Sequence, residues 1–472
     1  MSKELDEVLA LTDGSLKVDG QKMTVLDENR LRAVIGKLVE VSALGSGAAQ
    51  GWSRYLVRMA ALSLGIIPAS IHDLYMARGR GEVPLTFTVP AINLRILSFD
   101  AARAVFRALK KINASALIFE IARSEIGYTA QRPAEYSTNI LAAAIAEGYR
   151  GPVFIQGDHF QVSGKRYASE PETELEAVRA LTREAVEAGF FNIDIDTSTL
   201  VDISKATVPE QQKLNCELSA MFSAFIRQIE PEAVTISIGG EIGEVGGHNS
   251  TEEELRAYMD GYRSELNRLA PAVPGLSKIS IQTGTSHGGV VLPDGSIAKV
   301  SVDFDTLCHL SRVARHDYGM GGTVQHGAST LPEDAFGKFV EAEACEVHLA
   351  TNFQNIFFDT IPADFRKEMY AWLDANAAAE RKPDMTDEQF YYKTRKSAIG
   401  PFKARMYALP AEVRQALGAA WEAQFDKLFG MLGLKDTRQY VEKYVNPIPV
   451  TPKASTYLGE VVGDKDVSDL AD

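Results

Sequence analysis

Between about residues 86 and 352 the sequence alternates short apolar, β-branched-rich runs with longer segments of helical spacing, which restricts the chain to very few architectures. The runs read TFTVPAIN (86–93), SALIFEIA (115–122), GPVFIQGDH (151–159) and FFNIDIDTS (190–198). They continue with TISIGGEIG (235–243), KISIQTGTSHG (278–288), GGTVQHGAS (321–329) and CEVHLATN (345–352). Each is almost continuously apolar at its start and polar at its end, as expected of parallel strands covered by helices. Between them, AARAVFRALKKI (101–112), NILAAAIAEGY (139–149) and ELEAVRALTREAVEAGF (174–190) place apolar residues three and four apart. Eight strands alternating with helices predict a (β/α)8 TIM barrel. A doubly wound open sheet would also alternate. It would not so readily put polar groups at nearly every strand end, and no GxGxxG fingerprint follows the first strand.

The flanks are expected to be helical. Residues 1–80 form an N-terminal extension that includes the stretch SRYLVRMAALSLGI, the barrel occupies 81–362, and 363–472 form a C-terminal extension. That last block contains FRKEMYAWLDANAAAERK and LPAEVRQALGAAWEAQFDKLFGML with no low-complexity run, so it either caps the barrel or mediates a homo-oligomer. A loose tail is expected over the last dozen or so residues. The net charge of −14 argues against nucleic acid or an anionic membrane as partner. Three scattered cysteines, Cys216, Cys308 and Cys345, support neither a disulfide framework nor a thiolate metal site, so a reducing cytoplasm is expected. The N-terminus has no signal-peptide pattern, and no apolar run is long enough to span a membrane.

Only eight histidines occur, and three of them, His159, His287 and His326, stand at the ends of the third, sixth and seventh runs. Glu241 ends the fifth. In a closed barrel these ends converge on one face, where catalytic groups collect. Imidazoles with a carboxylate suit zinc or a similar divalent ion. The alternative for any one histidine is a hydrogen-bonded core residue. Asp158 precedes His159 at a strand end that is already turning, so both can reach the site; it either moves protons on substrate oxygens or orients a ligand histidine. Asp196 likewise orients a ligand or faces substrate, whereas Asp194 is expected within the barrel layers. Ser286, Gly288, Gly327, Ser329 and Thr351, near the last strands, are candidates for holding phosphate. The alternative for the glycines is that they only permit tight turns.

In this order and on these strands, GDH, EIGEVGG, GTSHGG and QHGAS resemble the class II, metal-dependent fructose-bisphosphate aldolases and their tagatose-bisphosphate relatives, over about residues 84–355. The resemblance implies that His159, His287 and His326 bind a catalytic zinc and that Glu241 ligates a displaced one. It implies that Asp158 exchanges a proton with the oxygen at the bond being cut, and that Gly288, Gly327 and Ser329 hold a ketose 1-phosphate, with Asn93 matching an asparagine on the first strand. Cleaving a ketose carbon–carbon bond leaves an enediolate, whose charge a divalent ion takes up as a Lewis acid.

Three departures accompany the likeness. Where the family has acids after the diglycine, this chain has His248-Asn249-Ser250-Thr251 and then Glu252, so either His248 or Glu252 is the candidate for the missing loop acid. Where the family reads NIDT on strand eight, this chain reads His348-Leu349-Ala350-Thr351, which makes His348 a candidate substrate contact. Both extensions are larger than in compact members, and KTRKSAIGPFK (393–403) either brings Lys396 or Lys403 to a second phosphate or forms a solvated helix face. The expected function is reversible cleavage of a phosphorylated ketose, fructose 1,6-bisphosphate by default. The alternatives are an aldolase for tagatose 1,6-bisphosphate or another sugar phosphate, and a noncatalytic aldolase-like partner subunit.

Overall fold

The eight runs form eight parallel strands in the computed structural model, which describes residues 2–20, 22–243, 248–284, 292, 301–329, 331–459 and 470. They are β1 (Val89–Asn93), β2 (Ile118–Ala122), β3 (Gly151–Gln161), β4 (Asn192–Asp196), β5 (Ser237–Glu241), β6 (Lys278–Ile281), β7 (Thr323–Gln325) and β8 (Glu346–Leu349). Each pairs with its neighbours in sequence, and β8 returns to β1, closing a (β/α)8 barrel. All residues of β1, β2, β4 and β8 are buried, which is why these runs read as continuous rather than alternating. The covering helices carry the expected stripe: Ser98–Lys111 buries Phe99, Ala102, Val105, Phe106 and Leu109.

The N-terminal extension departs from its expected form. The stretch SRYLVRMAALSLGI is helical only to Ser63; the helix Gly47–Ser63 stops before Gly65, at φ +71°, and Ile66–Ala69 is a strand. Its cause lies outside the local pattern. Strand β4 begins opposite Gln156, so the lower edge of β3 from Gly151 to Phe154 would be bare, and Ile66–Ala69 pairs with it in parallel. Asn192 splices the joint: its Nδ2 donates to Ala69 O (3.2 Å) and Ile155 O (3.0 Å), while its Oδ1 accepts from the Ile71 amide (2.9 Å). The next helix, His72–Gly79, sends Tyr75 into the interior to hydrogen-bond Glu346 on β8.

The C-terminal helices pack on the barrel's outer helices, Ala411–Met431 lying against both Ser98–Lys111 and Thr351–Thr360. Trp421 is buried there and its Nε1 donates to Phe353 O at 3.0 Å. The main apolar core runs from Leu5 to Leu434, and a second cluster joins Leu74, Phe87, Val89 and Phe154 to Val441, so barrel and extensions share both. Among the described residues no helix is long and apolar enough to cross a membrane.

Candidate active site

Strand β3 runs the full length of the wall, eleven residues, and does not end at His159 as its sequence suggested. Its pairing with β4 slips between Gly157 and Phe160, a β-bulge. His159 sits within it at φ +40°, a left-handed conformation that side chains other than glycine seldom adopt. The bulge, rather than a turning strand end, is what lets consecutive residues Asp158 and His159 both face inward. Gly157 makes it possible: a Cβ there would lie 2.4 Å from the Phe160 ring.

His159 Nε2 lies 3.1 Å from Nδ1 of His326, just beyond β7. Donors bound tetrahedrally at zinc distances stand roughly 3.3 Å apart, so the two nitrogens are spaced for a shared ion. Each ring is fixed by its other nitrogen. His159 Nδ1 faces Asp196 Oδ2 at 3.1 Å, and His326 Nε2 faces Ser280 Oγ at 2.9 Å. Such outer contacts set tautomer and direction at metal-binding histidines. Glu241, at the end of β5, stands on the Nδ1 side of His159 (3.3 Å), and donor atoms of His159, Glu241 and His326 all lie within 4.8 Å of one another. The residues present therefore fit a divalent cation.

The crowding of carboxylates sets the electrostatics. Burial lowers the His159 pKa, but Asp158, Glu241 and the Asp196 contact outweigh it, and the result is well above the ordinary value. Burial and the nearby Asp196 push Glu241 up to about 7. For Asp158 burial acts upward, yet the adjacent His159 and His348 hold its carboxyl well below the usual range. Asp196 is fully engaged, accepting from Gln161 and from the Ser198 amide (3.0 Å) and hydroxyl (2.6 Å), which makes it a holder of His159.

Beneath these groups lies a layer of which sequence reading placed only Asp194. Glu120, Asp194, Lys278 and Glu346 come from β2, β4, β6 and β8, the alternate-strand layering of a TIM barrel, here built of charges instead of branched aliphatics. Lys278 Nζ donates to Gln156 Oε1 (2.7 Å), Asp194 (3.0 Å) and Glu346. Gly239 on β5 leaves room for the pair, since a Cβ would meet Asp194 at 2.3 Å. Burial raises Glu120 to about 8 and Asp194 to about 6, whereas Lys278 overcomes burial at Glu346 and draws it down to about 2. The legible signal was one charge inside each of four apolar runs. His348 stands on this layer, 5% exposed, with Nε2 2.6 Å from Glu346 and Nδ1 3.0 Å from Glu120 and 3.2 Å from Asp158. Its ring faces the barrel interior.

The remaining candidates are dispersed. Asn93 ends β1, buried, and donates to Glu125. Gly327 (φ +68°) and Ser329 follow β7, and Ser329 Oγ accepts the Ala350 amide at 2.7 Å, tying the β7 loop to the helix Thr351–Thr360 that Thr351 begins. His248 is 54% exposed, 3.3 Å from Glu254. Glu252, one residue past the Thr251 cap of the helix Glu252–Leu269, pairs outward with His309 (2.6 Å) and Arg256 (2.7 Å). Lys403 is held by Glu135 (2.6 Å) and Ala130 O (2.7 Å), fastening the C-terminal extension to the barrel. Ser286, His287 and Gly288 lie outside the described residues.

A closed barrel gathers imidazoles and carboxylates, candidate metal-binding groups, at the C-terminal mouth where TIM-barrel enzymes carry their catalytic residues. The family Fructose-bisphosphate aldolase class-II matches residues 85–420, and the chain belongs to that family. Among solved structures it resembles a probable tagatose 6 phosphate kinase from Sinorhizobium meliloti 1021, at 14% identity and TM-score 0.55, over 73% of this chain and 100% of that one. It also matches fructose-bisphosphate aldolase from Campylobacter jejuni at 16% identity and TM-score 0.46, over 79% of this chain and 96% of the other. At such identities the first is a likeness of fold alone. Among curated proteins no sequence matches this chain.

Proposed function

We propose that the protein is a metal-dependent aldolase that reversibly cleaves a phosphorylated ketose, with fructose 1,6-bisphosphate the first substrate to test, into dihydroxyacetone phosphate and an aldehyde. The observation that carries the reading is Asp158 standing next to two imidazole nitrogens 3.1 Å apart, each fixed from behind. His159, Glu241 and His326 would hold the ion, with His287 as a further ligand by family likeness. When bound, a divalent ion supplies a Lewis acid for the negative charge released as the carbon–carbon bond breaks.

The chain's own residues do the rest. Asp158, held ionised by its neighbours, accepts the proton of the C4 hydroxyl as that oxygen becomes a carbonyl. In the synthetic direction it returns the proton to the aldehyde oxygen. Ser329 uses its oxygen to accept the Ala350 amide and keeps its hydroxyl proton to donate to a phosphate, alongside Gly327 and Thr351. Anchoring the phosphate away from the reacting carbon supplies orientation. For the carbon-bound proton of dihydroxyacetone phosphate the candidates are His248, 3.3 Å from Glu254, and Glu252, paired with His309 and Arg256.

Retro-aldol turnover should vanish on chelation and return with added zinc or cobalt; turnover that persists in full without metal would sink the mechanism. A different sugar phosphate is favoured by one observation: strand eight offers His348 and Ala350 in place of the family's asparagine and aspartate. A substrate panel including the C4 epimer, tagatose 1,6-bisphosphate, separates the two.

A further inference from the structure

Resting on the aldolase reading of Asp158, we infer that His348 is the positioning residue that fixes this carboxylate for proton transfer. The ring is anchored from below by Glu346, 2.6 Å from Nε2, and Glu346 is itself held by Lys278 and Tyr75. That anchor leaves Nδ1 within ion-pair range of Glu120 Oε2 (3.0 Å) and Asp158 Oδ1 (3.2 Å), hydrogen-bonded to neither. Nε2 alone is hydrogen-bonded, so the ring acts on Asp158 through charge at close range while Glu346 fixes where the ring stands. It also packs against His326, the rings tilted by 51° with centroids 4.0 Å apart, so a single buried ring touches the proposed proton acceptor on one side and a proposed cation ligand on the other.

Asp158 needs such support. It stands on a β-bulge, where the regular ladder no longer dictates the direction of its side chain. Strand register puts Ala122, a side chain with nothing to offer a carboxylate, directly opposite it. The polar brace comes instead from β8, across the barrel. The strand-eight departure from the family is therefore a change in how the carboxylate is aimed. It also accounts for the charged layer beneath, which serves as the footing for His348 and reaches down to the N-terminal extension through Tyr75.

The test compares His348→Leu, which removes the ring's donors, with His348→Gln, which keeps one N–H, each alone and combined with Asp158→Asn. Metal content and thermal unfolding are measured beside kcat and KM. The expected result is full metal content, nearly unchanged KM, and kcat reduced about 10²-fold in His348→Leu, the scale of a 1 Å misplacement. His348→Gln should recover part of that loss, and neither change should add much to Asp158→Asn alone. If His348→Leu does not fold, His348→Gln decides: its kcat falls in the wild-type background and scarcely changes in Asp158→Asn. Wild-type kcat in His348→Gln and His348→Leu would overturn the inference. So would losses that multiply with Asp158→Asn, or loss of metal with His348, which would make it a ligand. Full activity in Asp158→Asn alone would instead remove the aldolase role given to Asp158, whatever His348 does.

Discussion

His159 occupies a backbone conformation that costs on the order of 1–3 kcal/mol for a residue with a side chain. The contacts around it offset that cost: Asp196 and Glu241 on one ring nitrogen, His326 on the other. This divides the site's residues into ions' ligands and their holders, and the two classes should fail differently. His326→Ala removes a donor atom and should abolish stoichiometric metal and activity while circular dichroism stays native. Asp196→Asn keeps the donors but loosens the ring behind them, so metal affinity should fall by roughly 10–100-fold without disappearing. Competition titration with a chromophoric chelator reads both. A His326→Ala chain that retains metal and full turnover would remove it from the ligand set.

Among the elements, β3 does most to shape the site, through its bulge and its two partners on one edge. Gly157→Ala tests the bulge: the added Cβ meets Phe160 at 2.4 Å, and the strand must either shift or revert to regular pleating. Regular pleating would turn Asp158 or His159 outward, so metal binding should be lost along with about 1–3 kcal/mol of stability, measured by denaturant unfolding. Intact metal affinity in that variant would show that the bulge is not needed. Neither the bulge nor the left-handed histidine was legible in GPVFIQGDHFQ, because a bulge depends on how the partner strand is registered. The eight strands were legible because each is a long apolar run, and so was the meeting of His159, Glu241 and His326, although His159 lies within its strand and not at its end. Ile66–Ala69 was not: four residues following a helical stretch carry too little period to declare a strand, and what holds them there is Asn192. Glu120, Lys278 and Glu346 escaped notice because a lone charge in an apolar run has meaning only once the strands that share its layer are known.

At the scale of the molecule, the barrel interior concentrates carboxylates around few cations, and protons must make up part of the difference when no ion is bound. Glu120, Glu241 and Asp194 titrate upward to about 8, 7 and 6, and His159 and His348 also lie above their ordinary values. Each binds its proton more tightly folded than unfolded, so these groups contribute less to stability as pH rises through the window between the two values. For Glu120 that window runs from 4.5 to about 8; the histidine contributions are complete below 6.5 and lost as pH climbs through their raised values. Asp158, Asp196 and Glu346 act in the opposite sense, losing stability as pH falls below their ordinary carboxylate range. The metal-free protein should therefore unfold at the highest temperature near pH 5 and at steadily lower temperatures toward pH 9. Saturating zinc should flatten that decline. A scanning-calorimetry series with no such slope in the chelated protein would contradict the charge balance.

The splice between Ile66–Ala69 and the barrel has a consequence in time. Its amide at Ile71 waits for Asn192, 121 residues later, and at ordinary synthesis rates of 5–20 residues per second that delay is roughly 6–24 s. For much of it, an apolar strand emerges from the ribosome before its strand partner Gly151–Phe154 has been made. Pro68 in its middle has no N–H to offer a stranger, so the nascent chain carries its own guard against wrong pairing until the barrel arrives to claim it.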